Sequence, residues 1–238
     1  MTSPMLLLAL DTATSAITVA AYDGERILAE RTTIDPRRTT ELLAPSIEQV
    51  LTEAGVAASD LTDLAVGTGP GPFTGLRVGI VTALTLGHVH QIDVHGVCSL
   101  DALAAQYVAA GGSTPFVVAT DARRKEVYWA RYEIVDGSAR RVDEPSVSRP
   151  ADLPDEVREL PTVGRGPLLY PEYFPHGVDP TDGLLDVSAG ALARVAAVGI
   201  AAGDPMPTAP LYLRRPDAVA PAGPKPALAP LPPRANPR

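Results

Sequence analysis

Cysteine occurs once in these 238 residues, at Cys98. A lone thiol excludes an internal disulfide and fits a reducing compartment. Basic charge is also short: 20 Lys and Arg stand against 28 Asp and Glu, a formal charge of −8. Holding a polyanion takes a surplus of Lys and Arg, so the chain alone is not expected to grip nucleic acid. Long apolar runs are missing. The run at residues 5–10 falls far below the roughly 20 residues that span a bilayer, and no basic lead precedes it. A cytoplasmic protein without a membrane partner is expected. Histidine is scarce, and His88, His90, His95 and His176 form no His-x3-His pair. No carboxylates join them at ligand spacing, so no metal centre is expected. Nor does any Ser/His/Asp grouping point to peptide cleavage. Cys98 lacks an evident base partner and reads as a small buried hydrophobe.

What remains is ordinary in bulk, with 45% apolar and 20% charged residues in a chain long enough for one or two domains. One stretch is not ordinary. Residues 69–79 read Gly-Pro-Gly-Pro-Phe-Thr-Gly-Leu-Arg-Val-Gly. They lie between an apolar run at 64–67, predicted as a buried strand, and a helical pattern continuing through Leu86. Alternating Gly and Pro specify the turn tightly, since Pro fixes φ and Gly admits positive φ. Beyond it Gly75, Gly79, Ala83 and Gly87 recur every fourth residue. That spacing puts small side chains in one row on a helix. Helical glycines cost roughly 1 kcal/mol each relative to Ala, so the row is expected to gain close packing.

The remaining pattern alternates strands and helices. Strands are predicted at 5–10, 17–22 and 27–33, with Asp23-Gly24 as a hairpin turn. A helix follows from Pro36 to Ala54, with Leu43, Ile47, Val50 and Leu51 on one face. Residues 94–97 give a short strand, and Ser99 is expected to cap a helix through Ala110. Gly111-Gly112-Ser113 reads as a hinge. The second half then repeats the first. A strand at 116–120 ends at Asp121, a polar turn follows, a strand covers 126–132, and Asp136-Gly137 is a second hairpin turn. A unit recurring once suggests two related lobes. Residues 154–180 look loop-rich, and 188–203 carry the next long helical pattern. Eleven of the 25 prolines lie from Asp204 onward. The expected organisation is a first lobe over 1–110 and a second, reduced lobe over 111–216. Its last helix and residues 204–216 are expected to pack back on the first lobe. A Pro/Ala tail over 217–238 is expected to be disordered.

These residues together resemble the TsaB (YeaZ) family. The matching segments are Leu8-Ala9-Leu10-Asp11-Thr12-Ala13-Thr14, the glycine turn at 69–79, Asp121-Ala122-Arg123 with Glu126-Val127-Tyr128-Trp129-Ala130, and Leu211-Tyr212-Leu213-Arg214. The likeness covers roughly residues 5–215. Pro72 stands where the family often has Ser, and Arg38 where it often has His. The resemblance implies an α/β, actin-like (ribonuclease H-like) two-lobe fold with mixed sheets flanked by helices and a reduced second lobe. It also implies work in the machinery for N6-threonylcarbamoyladenosine (t6A) at position 37 of tRNA. There the chain would be a non-catalytic scaffold, with no cofactor and no bond-making residue of its own. Its partners would be a TsaD-type catalytic transferase and a TsaE-type ATPase. A homodimer is possible when alone, and tRNA would be met only through the complex.

Four groups of residues carry the functional expectations. Asp11, Thr12 and Thr14 stand where actin-like proteins cradle phosphates, a place where such turns equally serve their own backbone. A working cradle needs a facing turn of small residues, and Arg123, Arg124 and Lys125 occupy that place instead. Those three, with Arg214 and Arg215, are candidate contacts to tRNA phosphates, with solvated charge as the plainer reading. The turn at 69–75 lacks a Walker ending, and its prolines remove two N–H donors, so a structural turn is expected. Finally, Leu42, Leu43, Ile47 and Leu51 of one helix and Gly75, Gly79 and Ala83 of the other are the expected partner interface. The alternative activity is an ATP-dependent small-molecule kinase or ATPase of the actin-like superfamily, which requires nucleotide bound between the lobes.

Overall fold

A computed structural model of the chain describes residues 5–179 and 182–214. Arg215 and the Pro/Ala tail lie outside the described residues. The first half contains β1 (Leu7–Asp11), β2 (Ala16–Tyr22), β3 (Ile27–Ile34), α1 (Thr39–Ala54), β4 (Asp63–Gly67), α2 (Phe73–His90), β5 (Asp93–Val97) and α3 (Ser99–Ala109). The second contains β6 (Phe116–Asp121), β7 (Val127–Val135), β8 (Ser138–Arg141), β9 (Ser146–Ser148), α4 (Asp155–Arg158), β10 (Thr162–Val163), α5 (Arg165–Leu169) and α6 (Ala189–Ala202). Among the described residues, no helix is long and apolar enough to cross a membrane.

The strands form two mixed sheets. The first runs β3-β2-β1-β4-β5, and the second runs β10-β6-β7-β8 with β9 added to β7. In the first, β1 pairs antiparallel with β2 and parallel with β4. In the second, β6 pairs antiparallel with β7 and parallel with β10. The recurring strand, turn and strand thus build the same meander twice, and the second sheet ends on a parallel strand of two residues. Asp136 and Gly137 both take positive φ, 52° and 74°, which the tight β7–β8 turn requires.

Each residue of β1 and β2 is buried, as continuous apolar strands require when both faces are covered. Alternation divides them between two layers. Leu8, Leu10 and Val66 face α1 and α2, beside Leu43 and Ile47. Leu7, Ala9 and Ala65 face α3 and α6. On the far side of those two helices the second sheet contributes Phe116, Val118 and Tyr132 to the same apolar cluster. The helices α3 and α6 therefore lie between the sheets as one shared core. Small residues allow that: Ala189, Gly190, Ala193, Ala196 and Gly199 are the buried side of α6 apart from Leu192. Ser188 caps that helix, its hydroxyl accepting from the Ala191 N–H at 3.1 Å.

Two expectations change. Helix α1 begins at Thr39, not Pro36, because residues 35–38 close a turn in which the Arg38 N–H donates to the Asp35 carbonyl. Ser99 does not cap α3. Cys98 holds the cap position, and the Ser99 hydroxyl is directed elsewhere. After α6 the chain returns to the first sheet. The Gly96 N–H donates to the Met206 carbonyl at 2.9 Å, and the Leu211 N–H to the Thr68 carbonyl at 2.8 Å.

Candidate functional site

Asp11 ends β1 and is fully buried. One carboxylate oxygen accepts the Ala13 N–H at 2.8 Å, and the other accepts the Ser99 hydroxyl at 2.5 Å. Ser99 in turn accepts the Gly69 N–H at 3.1 Å. Asp11 thus anchors its own turn and, through Ser99, the start of the glycine turn, whose Gly69–Pro70 peptide is cis. Burial raises its carboxyl to about 6 against the lowering effect of the Ser99 and Ala13 hydrogen bonds. Thr12 donates its hydroxyl to the Gly75 carbonyl at 2.8 Å. Thr14 accepts the Ala16 N–H.

The glycines make this contact possible. A Cβ at Gly67 would overlap the Asp11 carboxylate, one at Gly71 the Ala13 backbone, and one at Gly75 the Thr12 carbonyl. Gly79 lies against the Thr12 hydroxyl and Gly87 against Val94. The turn that would cradle a phosphate is filled by the glycine turn of the same lobe.

The facing turn is closed too. Arg123, Arg124 and Lys125 take successive left-handed conformations, φ 60°, 54° and 61°. For residues with a Cβ this costs roughly 1–2 kcal/mol each. The Asp121 carboxylate holds the turn from one side, accepting the Arg123 N–H at 2.7 Å and pairing with its guanidinium at 3.1 Å. Arg214 holds it from the other, donating to the Ala122 carbonyl at 2.8 Å and pairing with Glu126. Between the two turns lies Asp186, which sequence reading missed. It accepts two hydrogen bonds from the Arg165 Nε and one from Nη2 at 2.6–3.1 Å, and the Ser15 N–H at 3.1 Å. An opening of about 120 Å³ lies on the outer side of the Asp11–Thr14 turn, against Arg37, Thr74, Gly75 and Arg123. The space between the two turns, bounded by Ala13, Thr14, Asp121, Arg123, Arg165 and Asp186, is about 10 Å³. That is water-sized.

The helix faces differ from expectation. Leu43 and Ile47 are core residues beneath α1, and Leu42 and Leu51 pack at the edge of the same cluster. Gly79 and Ala83 are buried within the chain itself, Gly79 against Thr12 and Leu10, and Gly75 abuts the Asp11–Thr14 turn. The small-residue row therefore packs inside this subunit, because a four-residue period fixes one face without saying what that face meets. The outward face of α2 carries Val81, Leu84 and Val89, exposed by 59%, 43% and 66%. The histidines lie apart. His95 pairs with Asp63 at 2.9 Å and His176 with Glu159 at 3.4 Å, while His88 and His90 stand in the last turn of α2. No group of metal-ligating side chains occurs among the described residues. Burial pushes the Cys98 thiol up to about 12, which makes it unreactive.

A family model described as TsaD, tRNA N6-adenosine threonylcarbamoyltransferase, matches residues 26–162. The chain is 34% identical over 173 residues to the tRNA threonylcarbamoyladenosine biosynthesis protein TsaB of Escherichia coli, covering 71% of this chain and 74% of that one. The chain belongs to the TsaB (YeaZ) family. The fold agrees: YeaZ from Pseudomonas aeruginosa superposes with a TM-score of 0.77 at 32% identity, over 88% of this chain and 100% of that one. The TsaB-family fold here has mixed sheets flanked by helices. An uncharacterized Mycobacterium leprae protein is 43% identical over 218 residues. The match covers 90% of this TsaB-family chain and spans 56% of that relative's length.

Proposed function

We propose that this chain is the non-catalytic subunit of the assembly that installs N6-threonylcarbamoyladenosine at position 37 of tRNA. In this reading it dimerises with a TsaD-type transferase, holds that homologue in its active arrangement, and is joined by a TsaE-type ATPase. The names of its TsaB relatives support the pathway. One observation carries the non-catalytic role: Asp11 is fully buried and both its carboxylate oxygens are already bonded to protein groups. A group held this way has no reach toward a substrate.

The docking surface in this reading is the outward side of α2. A stripe of Val81 and Leu84, with Val89 beyond it toward the end of the helix, on a helix packed inward through its glycines suits pairing with a second helix. Alone, the chain would use the same stripe for a homodimer. Arg123, Arg124 and Lys125 stand exposed at the rim of the cleft, where they would reach tRNA phosphates in the complex.

The test is reconstitution with the transferase, followed by chromatography and mass spectrometry of tRNA nucleosides. Co-elution and restored modification are expected, and both are lost in Leu84→Asp. Calorimetry of the isolated chain with Mg-ATP is expected to show no binding. Tight binding with hydrolysis by this chain alone would instead establish an ATP-dependent enzyme.

A further inference from the structure

We propose that the trough between α3, α6 and β8 binds a small amphipathic monoanion, an apolar body bearing one carboxylate. The trough encloses about 560 Å³. Small-molecule sites run from roughly 300 to 1,000 Å³ and combine apolar walls with a few placed polar groups. Here Val108 and Ala109 of α3, Val195 and Val198 of α6, and Ala139 of β8 form the walls. Val198 is 71% exposed, an apolar side chain left at the open lip.

The charges decide the ligand's sign. In a chain of net charge −8, the charged residues lining this trough are Arg140, Arg141 and Arg194 against Asp101. Two of the guanidinia are satisfied. Arg141 donates to both Asp101 oxygens at 2.9 and 2.8 Å, and Tyr132 donates to the same carboxylate at 2.7 Å. Arg140 pairs with Glu133. Arg194 has no carboxylate partner among the described residues and rests 5.8 Å from the centre of the Tyr22 ring. One uncompensated guanidinium beside an apolar wall matches one carboxylate, which it can engage with two parallel hydrogen bonds. A cationic head would meet like charge, and a neutral head would leave Arg194 unpaired. The trough uses no residue of the cleft and none of the outward α2 stripe, so it stands independently of the scaffold role.

Titration calorimetry of the full chain with sodium decanoate tests this. One-to-one binding is expected, with decanol and decylammonium at least tenfold weaker. Arg194→Gln should weaken decanoate at least tenfold while lowering the unfolding midpoint only slightly, because that side chain is exposed and its one described contact is with the Tyr22 ring. Val195→Trp should fill the trough and abolish binding. Ala139→Phe, from the opposite wall, does the same should the first variant fold poorly. No binding at millimolar decanoate, equal affinity for the three head groups, or undiminished binding in Arg194→Gln would each overturn the proposal.

Discussion

At the scale of single residues, Asp11 shows how a carboxylate can look catalytic and be structural. A buried acid ending a strand at a threonine-rich turn has the chemistry to hold a cation or a phosphate-bound metal. Its neighbours decide otherwise, since both oxygens accept hydrogen bonds from the protein. Its folded pKa of about 6 lies above the ordinary 3.8. The folded state therefore binds the extra proton between those values, and the stabilisation from this group is full below about pH 4 and lost as pH rises through 6. That difference corresponds to about 3 kcal/mol. Asp11→Asn removes that titration, so the variant's stability relative to wild type should improve from pH 4 to pH 7, as urea unfolding at the two values will show. The Arg123–Lys125 turn gives a second expectation. Lys125 holds φ 61°, a conformation glycine adopts freely. Lys125→Gly should raise stability by up to about 1 kcal/mol in thermal unfolding.

At the scale of elements, α2 shows what periodicity reveals and what it leaves out. The glycine row was legible, and so was the tight turn before it. Which way the row faced was not, because the atoms it meets belong to Thr12, Leu10 and Val94, elsewhere in the chain. Gly79→Leu should therefore destabilise the subunit itself, by roughly 1–3 kcal/mol or more, since the added side chain enters space held by Thr12 and Leu10. Leu84→Asp on the other face should change stability by less than about 0.5 kcal/mol and abolish pairing with the transferase. Chemical denaturation and co-elution separate the two outcomes. Ser99 carries a related lesson. Its place before a helix predicts a cap, but the open carboxylate of Asp11 is the stronger acceptor, and the hydroxyl turns to it.

At the scale of the whole molecule, the internal repeat made the two sheets legible, because each meander is local and has its own turn residues. The interior of the cleft was not. Ser15 and Asp186, which close it, lie 171 positions apart in sequence, and no short-range pattern connects them. Arg165→Ala should leave the nearly buried Asp186 carboxylate held by the Ser15 N–H without its cation. A loss of roughly 1–3 kcal/mol is expected, the range for removing one partner of a charged hydrogen bond, and equilibrium unfolding will measure it. The returning segment after α6 has a consequence of its own. Strand β5 ends its sheet, and the Met206 carbonyl takes the Gly96 N–H there. A chain shortened at Gly203 would bare that strand as a template for self-association. Such a truncation should yield fibrils or soluble aggregates, even though every helix and strand of the fold is still encoded.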